Sequence, residues 1–292
     1  MKRTFILLAH ILLVILLIQV SAQAKNPFSF RLNLGGGQIF AGDINTIIDS
    51  HNALFEETAS FLGLNKKGNF KKIDWGPDLE GEFIFHLQDN IAVGLSSGYI
   101  LRKSNSKVVL DYESIYNNTT QFQPEISAIP VRLSFYYFHP VFSKTRLFVR
   151  CGIGIYLGQM NYLMDMDETI LGFNYLSETK GDVTAKGLGL HGGIGMEYSL
   201  GKNLFVFFEG KGRYAELKNW QGQEVFLYTG YESEIRSGTL WYYEVFNEDL
   251  GKSYSNIRLL KEKPTGSSFK NAREFSVSLS GFTLSTGIRI RF

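Results

Sequence analysis

Val149-Arg150-Cys151-Gly152-Ile153-Gly154-Ile155-Tyr156-Leu157 decides the fold. Its odd positions are aliphatic apart from one cysteine, and its even positions are arginine, glycine and tyrosine. A period of two is the mark of a β-strand with one apolar face. The stretch before it, Ile129 to Tyr137, repeats the rule, with Ile129, Val131, Leu133, Phe135 and Tyr137 opposing Arg132, Ser134 and Tyr136. Working outward in both directions, the same alternation recurs over 28–34, 79–87, 91–101, 188–198, 204–214 and 282–292, which makes eight strands.

The connections alternate in length. Short turns fall at Gln88-Asp89-Asn90, Phe138 to Thr145 and Leu200 to Asn203, and long connections at 43–74, 103–124, 160–182 and 216–273. Tight turns on one side and long loops on the other are the habit of transmembrane barrels. An even strand count then sets both chain ends at the periplasmic rim. Within the first long connection, Ile44, Ile47, Ile48, Phe55, Ala59 and Leu62 recur at helical spacing after Asp43, an N-cap candidate. This predicts a short amphipathic helix lying on the barrel rim or on lipid headgroups. Phe275, Val277 and Leu279 have the opposite parity to Phe282 and Leu284, and a bulge near Gly281 would restore the register. Val225 to Tyr228 and Thr239 to Phe246 are expected to form a hairpin above the membrane, with a ten-stranded barrel as the alternative.

Composition narrows the class. The 292 residues are 44% hydrophobic and 20% charged, with a formal net charge of +2 and one Cys. That is too apolar for a disordered chain, lacks the basic excess of a nucleic-acid binder, and allows no intrachain disulfide. Lys2 and Arg3, the apolar run Phe5 to Val20, and Ser21-Ala22-Gln23-Ala24 read as a secretory leader over 1–24, with the barrel domain over 25–292. The leader's two positive charges account for the whole net charge.

Parity does not say which face is inside. Three features favour charge inside and apolar side chains outside. Glycines 35, 37, 94, 98, 152, 154, 187, 189, 193, 195 and 287 share the polar parity and suit a cramped lumen. The apolar side chains would overfill the interior of an eight-stranded barrel. Aromatics such as Phe28, Tyr99, Tyr137, Phe148, Tyr198, Tyr214 and Phe292 gather near strand ends, where membrane girdles form.

With its leader, its eight-strand alternation, the strand start Ile129-Pro130-Val131-Arg132 and the ending Thr286-Gly287-Ile288-Arg289-Ile290-Arg291-Phe292, the chain resembles the small outer-membrane barrels of the OmpA/OmpX type. The resemblance implies an all-β, antiparallel, up-and-down transmembrane barrel in the bacterial outer membrane. It also implies that Phe292 serves as a signal to the barrel-assembly machinery, and it says little about activity.

The polar parity collects Glu80, Glu82, Glu197 and Glu209 against Arg31, Arg132, Arg150, Lys211, Arg213, Arg289 and Arg291. Charges in a narrow lumen need partners, so a plug of ion pairs is expected. A narrow, cation-repelling pore for small solutes is the alternative. A lipid-modifying enzyme comes third: His51, His86, His139 and His191 have no readable Ser and carboxylate arrangement. Gly187 to Gly192 fits G-x-G-x-x-G, but the alternation runs straight through it. Asp165, Asp167 and Glu168 are expected to be solvated, and Cys151 to face lipid. The expectation is a non-enzymatic, monomeric protein without cofactor or metal, embedded in outer-membrane lipid, with no nucleic-acid partner and with loops open to an extracellular ligand.

Overall fold

The computed structural model describes residues 27–113 and 115–292; the leader read over 1–24 lies outside them. The chain begins with β1 (Phe28–Ile39), α1 (Asp43–Leu62), β2 (Asn65–Lys67), β3 (Trp75–His86), β4 (Ile91–Lys103) and β5 (Ser106–Tyr112). Four long strands follow: β6 (Tyr116–Phe142), β7 (Thr145–Ile170), β8 (Phe173–Ser199) and β9 (Leu204–Tyr228). The chain then forms β10 (Glu234–Asn247), β11 (Lys252–Leu260), β12 (Phe269–Glu274), β13 (Val277–Ser278) and β14 (Gly281–Arg291).

Eight of these strands close a ring in the order β1-β3-β4-β6-β7-β8-β9-β14, all antiparallel. They contain the eight stretches of alternation. Closure is by β1 on β14, from Ser29 opposite Arg291 to Ile39 opposite Gly281. β10 pairs with the far end of β9 and with β11 and β12, outside the ring. The segment 225–246 is therefore an extension, and the ring has eight members rather than ten.

Near the rim where β1 begins and β14 ends, the exterior is apolar. On β7, Leu147, Val149, Ile153, Ile155 and Leu157 point outward, with Ile153 60% exposed. The outward positions from Leu147 to Leu157 span the 9–11 residues that a tilted strand needs to cross a hydrocarbon core. Cys151 is exposed on the same face. The inward positions of this part carry Arg150, Glu80, Glu82, Glu209 and their partners, all buried. This is an inside-out protein, as a membrane barrel must be.

Beyond that belt the pattern inverts without interrupting the strands. Outward positions become Gln159 and Asn161 on β7, Lys186, Thr184 and Asp182 on β8, and Lys218 and Gln221 on β9. Inward positions become Tyr156, Met160, Val183, Ala215, Leu217 and Trp220, joined into one buried apolar cluster. The distal half is thus built like a water-soluble domain, on the same strands. The long connections expected at 103–124 and 160–182, and the start of that at 216–273, are hairpin strands. On β7 the stretch 158–170 adds about 40 Å at the usual rise per residue.

The inversion also explains Phe275, Val277 and Leu279. Val277 pairs with Leu217 and Gly281 with Arg213 in one unbroken register, so the bulge expected near Gly281 is absent. Those three side chains keep the inward parity of Thr283 and Ser285, and they are fully buried because the interior at their level is apolar. The extra residue lies elsewhere. Register against β8 slips by one between Thr184 and Lys186, and Asn219 takes a left-handed φ of 54° there. The slip turns Trp220 inward after Leu217.

α1 differs from expectation in place and in capping. It lies over the distal core rather than on lipid headgroups, with Ile44, Ile47 and Ile48 in the apolar cluster. Asp43 is its first helical residue and makes no N-cap bond. Its carboxylate instead accepts the Ser276 backbone N–H at 2.9 Å and Arg273 Nη2 at 2.7 Å. Asn52 clamps the next segment by donating to the Phe70 carbonyl at 2.9 Å and accepting its N–H at 2.8 Å.

Candidate functional site

The strand register assembles the interior in tiers. The middle tier centres on Arg150 of β7, whose side chain is fully shut from solvent. Its Nη1 donates to Glu80 at 2.9 Å and Glu82 at 3.1 Å, both on β3. Its Nε and Nη2 donate to Glu209 on β9 at 2.5 and 3.2 Å. Tyr136 donates to Glu82 at 2.5 Å and accepts from Arg150 at 2.8 Å. Arg31 donates to Glu209 at 2.7 Å and lies 3.6 Å over the Phe207 ring. Glu80 also meets Arg132 and Lys211, each at 2.8 Å.

Glycine makes this crowding possible. A Cβ on Gly193 would sit 2.5 Å from a Glu209 oxygen, and one on Gly94 would collide with Glu82. The smallest residue stands where a charged side chain from the neighbouring strand crosses the wall.

A tier on the distal side holds Asp78 between Arg102 at 2.9 Å and Arg213 at 2.7 Å, with Thr283 donating to it at 2.6 Å. The tier nearest the chain-end rim holds Glu197. It accepts Arg289 Nε and Nη2, both at 2.9 Å, and Arg146 Nε at 2.7 Å. Phe138, Phe148 and Phe207 fill the space between these charges. Arg291 stands at the rim, 3.5 Å from Asp89. The exposed Phe292 follows it and donates its backbone N–H to the Phe28 carbonyl at 2.8 Å, on the strand-closing seam.

Three members escaped the sequence reading: Asp78, Arg102 and Arg146. Each shares the inward parity of its strand but lies past the alternating stretch, by one residue for Asp78 and Arg102 and by three for Arg146. Continuing the parity beyond the apolar run would have found them.

The interior also contains two Ser–His pairs. Ser29 Oγ lies 3.0 Å from His86 Nε2, and Ser134 Oγ lies 2.9 Å from His191 Nε2. In both, Nδ1 is buried without a partner among the described residues, so no acid orients either ring. Asp165 and Asp167 point outward on β7, while Glu168 points inward and accepts Tyr116 at 2.9 Å, so the three do not converge. Of the aromatics in 225–246, Tyr242 and Tyr243 are buried, while Tyr231 and Phe246 are exposed.

No family model and no curated protein matches the chain. Solved structures similar to it include the Neisserial surface protein A, at 12% identity over 91% of this chain and 97% of that one, with a TM-score of 0.34. The outer-membrane protein OprG of Pseudomonas aeruginosa matches at 11% identity, over 92% of this chain and 98% of its own, with a TM-score of 0.39. The outer-membrane protease OmpT of Escherichia coli matches at 10%, over 93% of this chain and all of its own, with a TM-score of 0.35. Identities this low concern the fold alone. The architecture stands on the strand ring and its apolar belt.

Proposed function

We propose that the chain is an integral, non-enzymatic protein of the bacterial outer membrane, in which a sealed barrel anchors a folded domain outside the cell. The apolar belt supports the membrane location. The hairpin side, opposite the rim where β1 begins and β14 ends, is then the extracellular side.

The observation that carries the reading is Arg150, fully buried and bound to carboxylates from two strands across the lumen. A water-filled passage would need that cluster to be hydrated. Above it, Leu217, Trp220, Val277, Leu279 and the apolar face of α1 fill the interior, and hydrocarbon packing passes neither ions nor solutes. The Ser–His pairs lie inside the barrel and lack an acid, which speaks against hydrolysis.

Planar-bilayer recording tests the reading. The sealed barrel inserts without steady conductance. A stable, reproducible conductance from the purified protein would replace it with the narrow-channel reading.

A further inference from the structure

Above the apolar layer, α1 and the distal strands line a partly open cavity of about 160 Å³. That is roughly the share of five water molecules in the liquid. Ile47 and His51 line it from α1, Phe122 and Met164 from β6 and β7, Phe226 from β9, and Arg258 from β11. Glu224 and Arg236 stand on its polar side with Tyr162, Thr179 and Asn256.

Two of the four acidic and basic side chains there are satisfied. Glu224 accepts Tyr162 Oη at 2.7 Å and Arg236 Nη1 at 3.1 Å. Arg236 also holds Glu234. The other two are not. His51 is only 9% exposed, and its ring makes an edge contact with Phe70 at 6.4 Å. Neither of its nitrogens has a hydrogen-bond partner among the described residues. Burial pushes this imidazole down to about 4, so it is neutral at pH 7 and offers one N–H. Arg258 has no carboxylate within ion-pair distance among the described residues, and its Nε is shut from water without an acceptor.

A buried N–H without a partner, as at Arg258 Nε, marks a missing acceptor. Both unsatisfied side chains can donate, one is a fixed cation, and the rest of the lining is largely apolar. The complement is one negative charge on a short apolar body.

We propose that this cavity binds a small monocarboxylate with a short aliphatic chain. Arg258 neutralises the carboxylate, His51 donates to it, and the chain lies against Met164 and Phe226. This rests on the extracellular reading only for where the ligand comes from; the site itself is independent of whether the lumen conducts.

Methyl NMR on protein labelled at its methionines, held in lipid nanodiscs that expose both faces, tests it with butyrate. The Met164 methyl should shift saturably while Met196, on the lipid face, stays still. Arg258→Gln, shown folded by its heat-modifiable gel mobility, should weaken the apparent affinity at least tenfold. Butylammonium, of like size and opposite charge, should leave Met164 unmoved, and this comparison carries the test in wild type should the variant not fold. An unresponsive Met164 with butyrate, equal binding by folded Arg258→Gln, or equal binding of butylammonium would each overturn the proposal. Bilayer recording reads the lumen and not this cavity, so failure here is distinct from failure of the anchoring reading.

Discussion

Arg150 grips Glu209 through two donors, Nε at 2.5 Å and Nη2 at 3.2 Å, reaching from β7 to a strand that is not its neighbour in the ring. The contact spans β8 on the lumen side and, with the Arg150 bonds to Glu80 and Glu82 on β3, fills the space between the walls. The first prediction concerns its removal. Arg150→Ala leaves Glu80, Glu82 and Glu209 short of a shared partner in a dry interior. Breaking one side of a buried ion pair costs about 3–5 kcal/mol, and urea unfolding in lipid vesicles should read a loss of that order.

The glycine wall gives a second, paired prediction. Gly193→Ala pushes a methyl against the Glu209 carboxylate at 2.5 Å and should destabilise the barrel, whereas Gly212, with nothing within 4 Å, should accept alanine freely. Overpacking of this kind costs about 1–3 kcal/mol. The same unfolding measurement separates the two variants, and equal stabilities would contradict the crowded lumen.

Inversion of the pattern along β7 makes a third. Ile153→Lys places a cation on the lipid face, at a cost of about 2–4 kcal/mol near the bilayer midplane. Gln159→Lys, outward on the same strand but beyond the belt, should change stability by less than about 0.5 kcal/mol. Folding yields into vesicles check the contrast.

A fourth prediction follows from His51. Its folded-state value is lowered from 6.5 to about 4, so the unfolded chain binds the proton more readily than the native one. Stability is therefore full above pH 6.5 and falls as pH drops from there towards 4. The neighbouring Arg236 and Arg258 oppose protonation, and Glu224 favours it. The full span is on the order of 3 kcal/mol. Hydrogen exchange of α1 amides should show this acid loss in wild type and its reduction in His51→Phe.

The membrane half of the fold was legible in the sequence because one parity runs unbroken through each of its eight strands. Val149 to Leu157 is enough to show it. The distal half was not, because the alternation continues while its meaning reverses. Tyr156, Met160 and Tyr162 keep the inward parity of Arg150 and Gly152, yet they are apolar, so a search for one apolar face loses the strand there. Phe275, Val277 and Leu279 suggested a bulge for the same reason. The ion-pair members could be named from parity, but their partners could not: Arg150 meets Glu209 only once the ring is closed. His51 stood out by its residue type, and its cavity is assembled from α1 and from strands far apart in the sequence, which no local pattern records.

The central claim is that β7 leaves the membrane at Leu157 and continues as the wall of a water-facing domain. A spin-label scan of its outward positions in lipid vesicles, with Cys151 replaced except when labelled, tests this most directly. Labels at 149, 153, 155 and 157 should be relaxed by lipid-dissolved oxygen, and labels at 159, 161 and 167 by an aqueous nickel chelate. Oxygen accessibility persisting through 167, or nickel accessibility at 153, would contradict it.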